Sequence, residues 1–161
     1  MKIRSTGERV TRGNSESITA DGALLLYDGT CGFCARSVQF VLRHEGRLRA
    51  LRFASLNGPT GRALHARRPE LAAVDSLIWL MPANPAREER ILIRSDAVLA
   101  VAAYLGGVWR VLGGIGRLVP RFIRDSIYDW VARRRYRLAP RACPVPTREE
   151  RRRFVDLDPA A

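Results

Sequence analysis

The 161-residue sequence predicts an α/β fold, a mixed four-stranded sheet flanked by helices, with a C-terminal helical extension. Three observations carry this. The run Ala-Leu-Leu-Leu-Tyr at 23–27 is apolar throughout, and a strand without polar alternation needs cover on both faces, as at the centre of an α/β sheet. Short apolar runs then alternate with helical patterns as far as Leu105. Glycine, proline, asparagine and aspartate fall between these segments, where turns and caps call for them.

Residues 1–20 mix Gly, Ser, Thr, Asn and charge without periodicity and read as a disordered leader. The core is assigned to 21–107. After the first strand, residues 34–44 place Ala35, Val38, Val41 and Leu42 on one helical stripe, and Gly46 ends the helix. A second strand is expected at 48–53, and strand, helix, strand in succession form a right-handed crossover between parallel strands. Pro59 suits the first turn of a short helix that runs to Arg67 and stops ahead of Pro69. Strands at 76–81 and 89–94 are joined by a turn short enough for an antiparallel hairpin. Ser95 is the expected cap of the next helix, with Asp96 in its first turn and Gly106-Gly107 as its left-handed stop.

The C-terminal third is assigned as a helical extension, 108–139, and a basic tail, 140–161. Residues 97–119 raise the question of a membrane span, but Arg110, Arg117 and five glycines interrupt them. A buried helix followed by a glycine-rich turn is expected instead. Pro120 then opens a final helix whose apolar stripe, Phe122, Ile123, Ile127, Trp130 and Val131, is expected to pack on the core.

A formal charge of +12, from 28 basic and 16 acidic residues, invites a nucleic-acid reading. All but one of the basic residues are arginine, and they are spread along the chain. The densest group, Arg133-Arg134-Arg135, Arg137, Arg141, Arg148 and Arg151 to Arg153, reads as a solvated helix face with a basic tail. Contact with an anionic surface (RNA, an acidic protein or, peripherally, a lipid membrane) is the alternative. With three cysteines and no apolar stretch before residue 23, neither a disulfide scaffold nor a secretory signal is indicated, and a reducing cytoplasm is the expected compartment.

Cys31 and Cys34 form a Cys-Gly-Phe-Cys motif between the first strand and the first helix. At such a junction the first thiol meets the free N–H groups of a helix N-terminus, where partial positive charge favours thiolate, the species that attacks disulfides. Cys31 is therefore expected to be the nucleophile and the more exposed thiol, with Cys34 one turn on to resolve the mixed disulfide. Asp28 either accepts a proton during exchange or bonds the backbone of its own turn. Gly29 and Gly32 suit a tight turn, Thr30 a helix cap, and Phe33 an apolar contact for a client. Half of a zinc site is one competing account, but the remaining candidate ligands are Cys143, His44 and His65, and His44 lies about 15 Å along the helix from Cys34. A structural pair of buried thiols is the other. His44 and His65 read as surface residues near helix ends; Cys143 is either a third exchanging thiol or inert. With no glycine-rich cofactor fingerprint, no bound cofactor is expected, and an external thiol donor, glutathione or a partner reductase, would regenerate the dithiol.

The order strand, helix, strand, helix, strand, strand, helix, with the dithiol after the first strand, resembles the thioredoxin-like core. Tyr27-Asp28-Gly29-Thr30-Cys31-Gly32-Phe33-Cys34 further resembles the Asp-Gly-x-Cys-x-x-Cys signature of the DCC family of predicted thiol-disulfide oxidoreductases. Ser95-Asp96-Ala97, Leu105-Gly106-Gly107 with Trp109, Pro120-Arg121-Phe122 to Tyr128-Asp129, Arg135-Tyr136-Arg137 and Cys143-Pro144 are similar to that family too. The resemblance implies redox roles for Cys31 and Cys34 without fixing a substrate. Likeness to glutaredoxins implies that the helix end at Ser95 and Asp96 either binds the glutathione carboxylate or is merely capped. One departure stands out: Val74-Asp75-Ser76 occupies the place where thioredoxins carry a cis-proline. The expected function is a thiol-disulfide oxidoreductase acting on protein or small-molecule disulfides. The alternative is a non-catalytic module of the same fold that binds an anionic partner through its basic C-terminal part.

Overall fold

Strand β1, Leu24–Tyr27, lies inside the sheet with every leucine buried. The structure is a computed structural model that describes residues 22–45, 50–72, 74, 77–83, 85, 88–138 and 147–157. Helix α1 (Gly32–His44) leads to β2 (Arg52–Ser55), α2 (Pro59–Arg67) and a short 3-10 turn at Pro69–Leu71. The hairpin β3 (Ile78–Met81) and β4 (Arg90–Ile93) precedes α3 (Arg94–Leu105), α4 (Gly107–Leu118), α5 (Arg121–Leu138) and the single-turn α6 (Arg148–Arg151). Strand order is β2-β1-β3-β4, with β1 parallel to β2 and antiparallel to β3, and β3 antiparallel to β4. This is the four-stranded mixed sheet of the thioredoxin-like arrangement.

Successive side chains of a strand point to opposite faces, so the apolar run of β1 feeds two cores. Leu24 and Leu26 pack with Ala54, Leu56, Leu64 of α2, Ile78 and Leu80 on one face. Leu25 packs with Val38 and Val41 of α1, Phe53, Trp79 and Ala97 of α3 on the other. Each fully buried leucine stabilises the fold by about 1.5–3 kcal/mol, which accounts for the absence of polar residues in β1.

Several boundaries and placements differ from expectation. β2 runs over 52–55 rather than 48–53. Leu51 is buried, but its N–H bonds to the Tyr104 hydroxyl at 3.1 Å instead of joining the strand ladder, so its apolarity reports burial and not pairing. Helix α3 starts at Arg94, whose φ of +52° turns the chain straight from strand to helix, and Ser95 makes no cap hydrogen bond. The predicted glycine-rich turn after residue 107 is helical instead. A Cβ on Gly113 would stand 2.9 Å from Ala102 Cβ, and one on Gly116 3.1 Å from Leu99 Cδ2, so these glycines let α4 lie close against α3. The stripe Phe122, Ile123, Ile127 and Trp130 faces solvent rather than the core; Val131 is half-buried.

The last described segment is part of the fold rather than a loose basic tail. Thr147 and Glu150 form a reciprocal capping box that starts α6. Residues 153–155 then bond the outer edge of β2, with Phe53 N–H donating to Arg153 O at 2.9 Å and Val155 N–H to Phe53 O at 2.9 Å. Phe154 is buried against Phe53, centroids 5.3 Å apart. Arg153 holds the Glu45 carboxylate with both terminal nitrogens and donates to Leu51 O, while Tyr104 donates to Glu45 at 3.0 Å. Asp156 accepts from Ser55 N–H, Thr60 N–H and the Thr60 hydroxyl, at 3.2, 3.1 and 2.6 Å, and so closes the N-terminus of α2 from a distance. The leader 1–20, Gly46, Asp75, Ser76 and Cys143 lie outside the described residues.

Candidate active site

The turn between β1 and α1 is organised by Asp28. Its backbone oxygen accepts from Cys31 N–H at 3.2 Å, and its Oδ1 accepts from both the N–H and the hydroxyl of Thr30, at 2.9 and 2.7 Å. Of the two roles weighed for Asp28, the structure displays the turn-building one. Thr30 is exposed and serves Asp28, so it is not the cap; Cys31 occupies that position, in extended backbone just before the helix. Gly29 is exposed, and a Cβ there would meet Ser55 Oγ at 2.8 Å. Gly32 is buried in the first turn of α1 and Phe33 is half-buried beside it.

Both Cys31 and Cys34 are free thiols. Cys31 Sγ accepts a hydrogen bond from Cys34 N–H at 3.5 Å, the geometry of a helix cap made by sulfur. The expected order of exposure is reversed: Cys31 is 1% exposed, while Cys34 is half-buried. The motif sets Cys31 on the strand side of the junction, where the chain is still entering the core. Burial pushes the Cys34 thiol up to about 12, and its side-chain hydrogen bond to Cys31, the Cys31 charge and Asp28 act in the same sense, while Arg135 opposes them.

Arg135 is the residue that sequence reasoning misplaced. Assigned to a solvated basic face, it is 4% exposed and donates from Nη2 to Asp28 Oδ2 at 3.3 Å, across 107 positions of sequence. Helix α5 thereby brings a guanidinium to the buried carboxylate of the dithiol turn. The signal that was available is Asp28 itself: a carboxylate next to a fully apolar strand requires a countercharge. The family-like segment Arg135-Tyr136-Arg137 held the candidate.

Ser95 and Asp96 lie at the start of α3 but face α5. The Ser95 hydroxyl bonds Asp125 Oδ1, Arg124 reaches Ser95 Oγ and Asp96 Oδ1 at 3.3 and 3.0 Å, and Arg121 reaches Asp96 at 3.4 Å. The Ser95 hydrogen bond, reinforced by Arg121, holds Asp125 below the usual carboxylate range. His44 is exposed and stacks on Phe40 at 4.1 Å with Trp109 edge-on to both. His65, expected at the surface, is half-buried, and its Nε2 has no hydrogen-bond partner among the described residues. No three His, Cys, Asp or Glu side chains gather as metal ligands among the described residues.

A β-α-β-α-β-β-α sheet with a dithiol at the first strand-to-helix junction defines a thioredoxin-like dithiol protein. Residues 25–141 match the model of the DCC1-like thiol-disulfide oxidoreductase family, and the chain belongs to that family. It is 31% identical over 119 residues to a chloroplastic DCC family protein of Arabidopsis thaliana, covering 74% of this chain and 66% of that protein. It is 27% identical over 136 residues to the uncharacterized protein YuxK of Bacillus subtilis (strain 168), covering 82% of this chain and 93% of the other. No solved structure matches the chain significantly.

Proposed function

We propose that the protein reduces disulfides of protein or small-molecule clients, with Cys31 as nucleophile and Cys34 as resolving thiol. The observation that supports this most is the asymmetry of the pair: Cys31 sits at the helix end and accepts hydrogen bonds from Cys34, while Cys34 keeps its proton up to about 12. Cys34 is thereby disfavoured as the attacking thiolate, which leaves the attack to Cys31. In the proposed cycle the Cys31 thiolate attacks one client sulfur, the client S–S bond breaks, and the departing sulfur takes up a proton. Cys31 is now uncharged in a mixed disulfide, so its charge and its hydrogen bond no longer hold the Cys34 proton. Cys34 gives up that proton and attacks Cys31 Sγ. The second client thiol leaves, and the Cys31–Cys34 disulfide holds the two oxidising equivalents.

An external thiol donor of the glutathione or reductase class returns two electrons and two protons. The burial of Cys31 means that client docking must shift the Cys34 side chain or the 28–31 turn to open a line of attack. That same burial is what favours the second reading, a non-catalytic module that keeps the fold. Trapping separates the two. Incubated with oxidised glutathione at pH 7.5, a Cys34→Ser protein should accumulate an adduct on Cys31 by peptide mass spectrometry, and in Cys31→Ser the Cys34 thiol should stay free. Adduct on Cys34 alone would reverse the roles, and no adduct on either would leave the non-catalytic module.

A further inference from the structure

The apolar surface of α4 and α5 is not part of the dithiol site, and it is turned outward by the packing beneath it. Around α4, residues step by about 100° each, which puts Val108, Val111, Leu112, Ile115 and Leu118 on one arc. Their exposures run from 51% to 84%. The side turned to α3 carries Gly113 and Gly116, fitted closely to Ala102 and Leu99. To bury the aliphatic arc within this packing the helix would have to roll through more than a quarter turn and lose that fit. Past Pro120 the outward arc of α5 continues with Phe122, Ile127 and Trp130, each more than half exposed.

The outward arc of α5 ends in cations. Asp125 and Asp129 of α5 are engaged with Ser95, Arg121 and Arg94, alongside α3. The outward arc beyond Trp130 carries Arg133, Arg134 and Arg137, all exposed, and Arg134 stacks on Trp130 at 4.1 Å. Among the described residues, Arg133 and Arg137 have no ion-pair partner.

We infer that α4 and α5 form a docking face for an anionic lipid bilayer, on which the protein lies without crossing it. The aliphatic arc of α4 offers nothing to hydrogen-bond, so its occupant must be apolar and undemanding of direction, as acyl chains are. The guanidiniums that border the α5 part, with an indole among them, suit the headgroup level of an acidic membrane. Two exposed apolar arcs on consecutive helices, the second edged by arginines, exceed what scattered exposed apolar residues explain. Among the described residues no helix is long and apolar enough to cross the membrane.

The test is flotation of the full chain with phosphatidylcholine vesicles, with and without phosphatidylglycerol. Binding should require the anionic lipid and fall roughly tenfold or more as salt is raised and screening shortens. Leu112→Ser/Ile115→Ser should abolish flotation while leaving the circular dichroism spectrum unchanged and, in a Cys34→Ser background, glutathione adduct formation at Cys31 unchanged. Arg133→Glu/Arg137→Glu, a second variant on a different helix, should do the same. Absence of flotation with anionic vesicles at low salt would overturn the inference, as would equal flotation of both variants. So would a dimer in light scattering that Leu112→Ser/Ile115→Ser dissociates, which would assign the face to a second copy of the chain. The Cys31→Ser protein should float like the unaltered chain, so failure of the thiol chemistry and failure of the membrane face are separately readable.

Discussion

Replacing Arg135 by methionine should be among the most damaging single substitutions in the protein, although residue 135 sits in a run of arginines. The Arg135 guanidinium and the Asp28 carboxylate lie 3.3 Å apart with side chains 4% and 6% exposed. At that distance, with an effective dielectric of about 20, the gross attraction is about 5 kcal/mol. Much of it offsets desolvation, so the pair need not stabilise the fold relative to an apolar pair. Removing one partner is different, because Asp28 stays buried with the Thr30 hydrogen bonds and without its guanidinium. Arg135→Met is expected to cost about 3–5 kcal/mol in urea unfolding at pH 7, and Asp28→Asn/Arg135→Met to cost clearly less than the two single losses added. The thiol gives a second readout with opposite signs. Arg135 lowers and Asp28 raises the Cys34 pKa, so Arg135→Met should move alkylation of Cys34 to higher pH and Asp28→Asn to lower pH. A cost of about 1 kcal/mol or less for Arg135→Met, as at an exposed pair, or strict additivity in the double variant, would refute the argument.

Three further outcomes follow from the same geometry. Phe154→Ala should destabilise the domain by about 3–5 kcal/mol, since the ring fills the core between Phe53 and Tyr27; thermal and urea unfolding check this. Asp156→Ala should cost about 0.5–2 kcal/mol by leaving the first N–H groups of α2 unbonded, with faster amide exchange at Thr60 as the local sign. In Cys31→Ala the rise of the Cys34 pKa to about 12 should shrink, because the hydrogen bond and charge of Cys31 are lost, but the midpoint should stay above 9.0, because burial is the largest cause. Alkylation rate against pH measures it, and a midpoint unmoved from about 12 would show that Cys31 contributes nothing.

The parts of the fold legible in sequence are those written in local periodicity. The apolar run of β1, the Pro59 start of α2 and the Gly106-Gly107 stop of α3 each follow from a few neighbouring residues, and the structure places them as expected. The dithiol turn is legible for the same reason. What escaped is long-range. Phe154, Arg153 and Asp156 read as a basic tail because the partners that order them, Phe53, Glu45 and Thr60, are about a hundred positions away. The glycines of α4 read as a turn because composition cannot tell a glycine that bends the chain from one that admits a neighbouring helix. The reversed exposure of Cys31 and Cys34 depends on how deeply the end of β1 is set in the sheet, and no spacing records that depth.

These long-range contacts share a direction. Arg135 brings α5 to the turn that carries Cys31, and Arg153 ties the C-terminal segment to Glu45 at the far end of the helix that carries Cys34. Helix α1 is therefore held at both ends by charges from the last third of the chain. The dithiol turn is supported from below by a guanidinium whose burial resists withdrawal, since leaving would strand Asp28. A client that opens the turn to reach Cys31 must work against that pair, and the opening stays local only if Arg135 remains on Asp28 while the Cys34 side chain moves. Hydrogen exchange of the Cys34→Ser protein glutathionylated at Cys31, or of the Cys31-alkylated protein, would show this directly: faster exchange confined to residues 29–35 fits a local opening, whereas exchange spreading along α5 would mean that the ion pair itself is the gate.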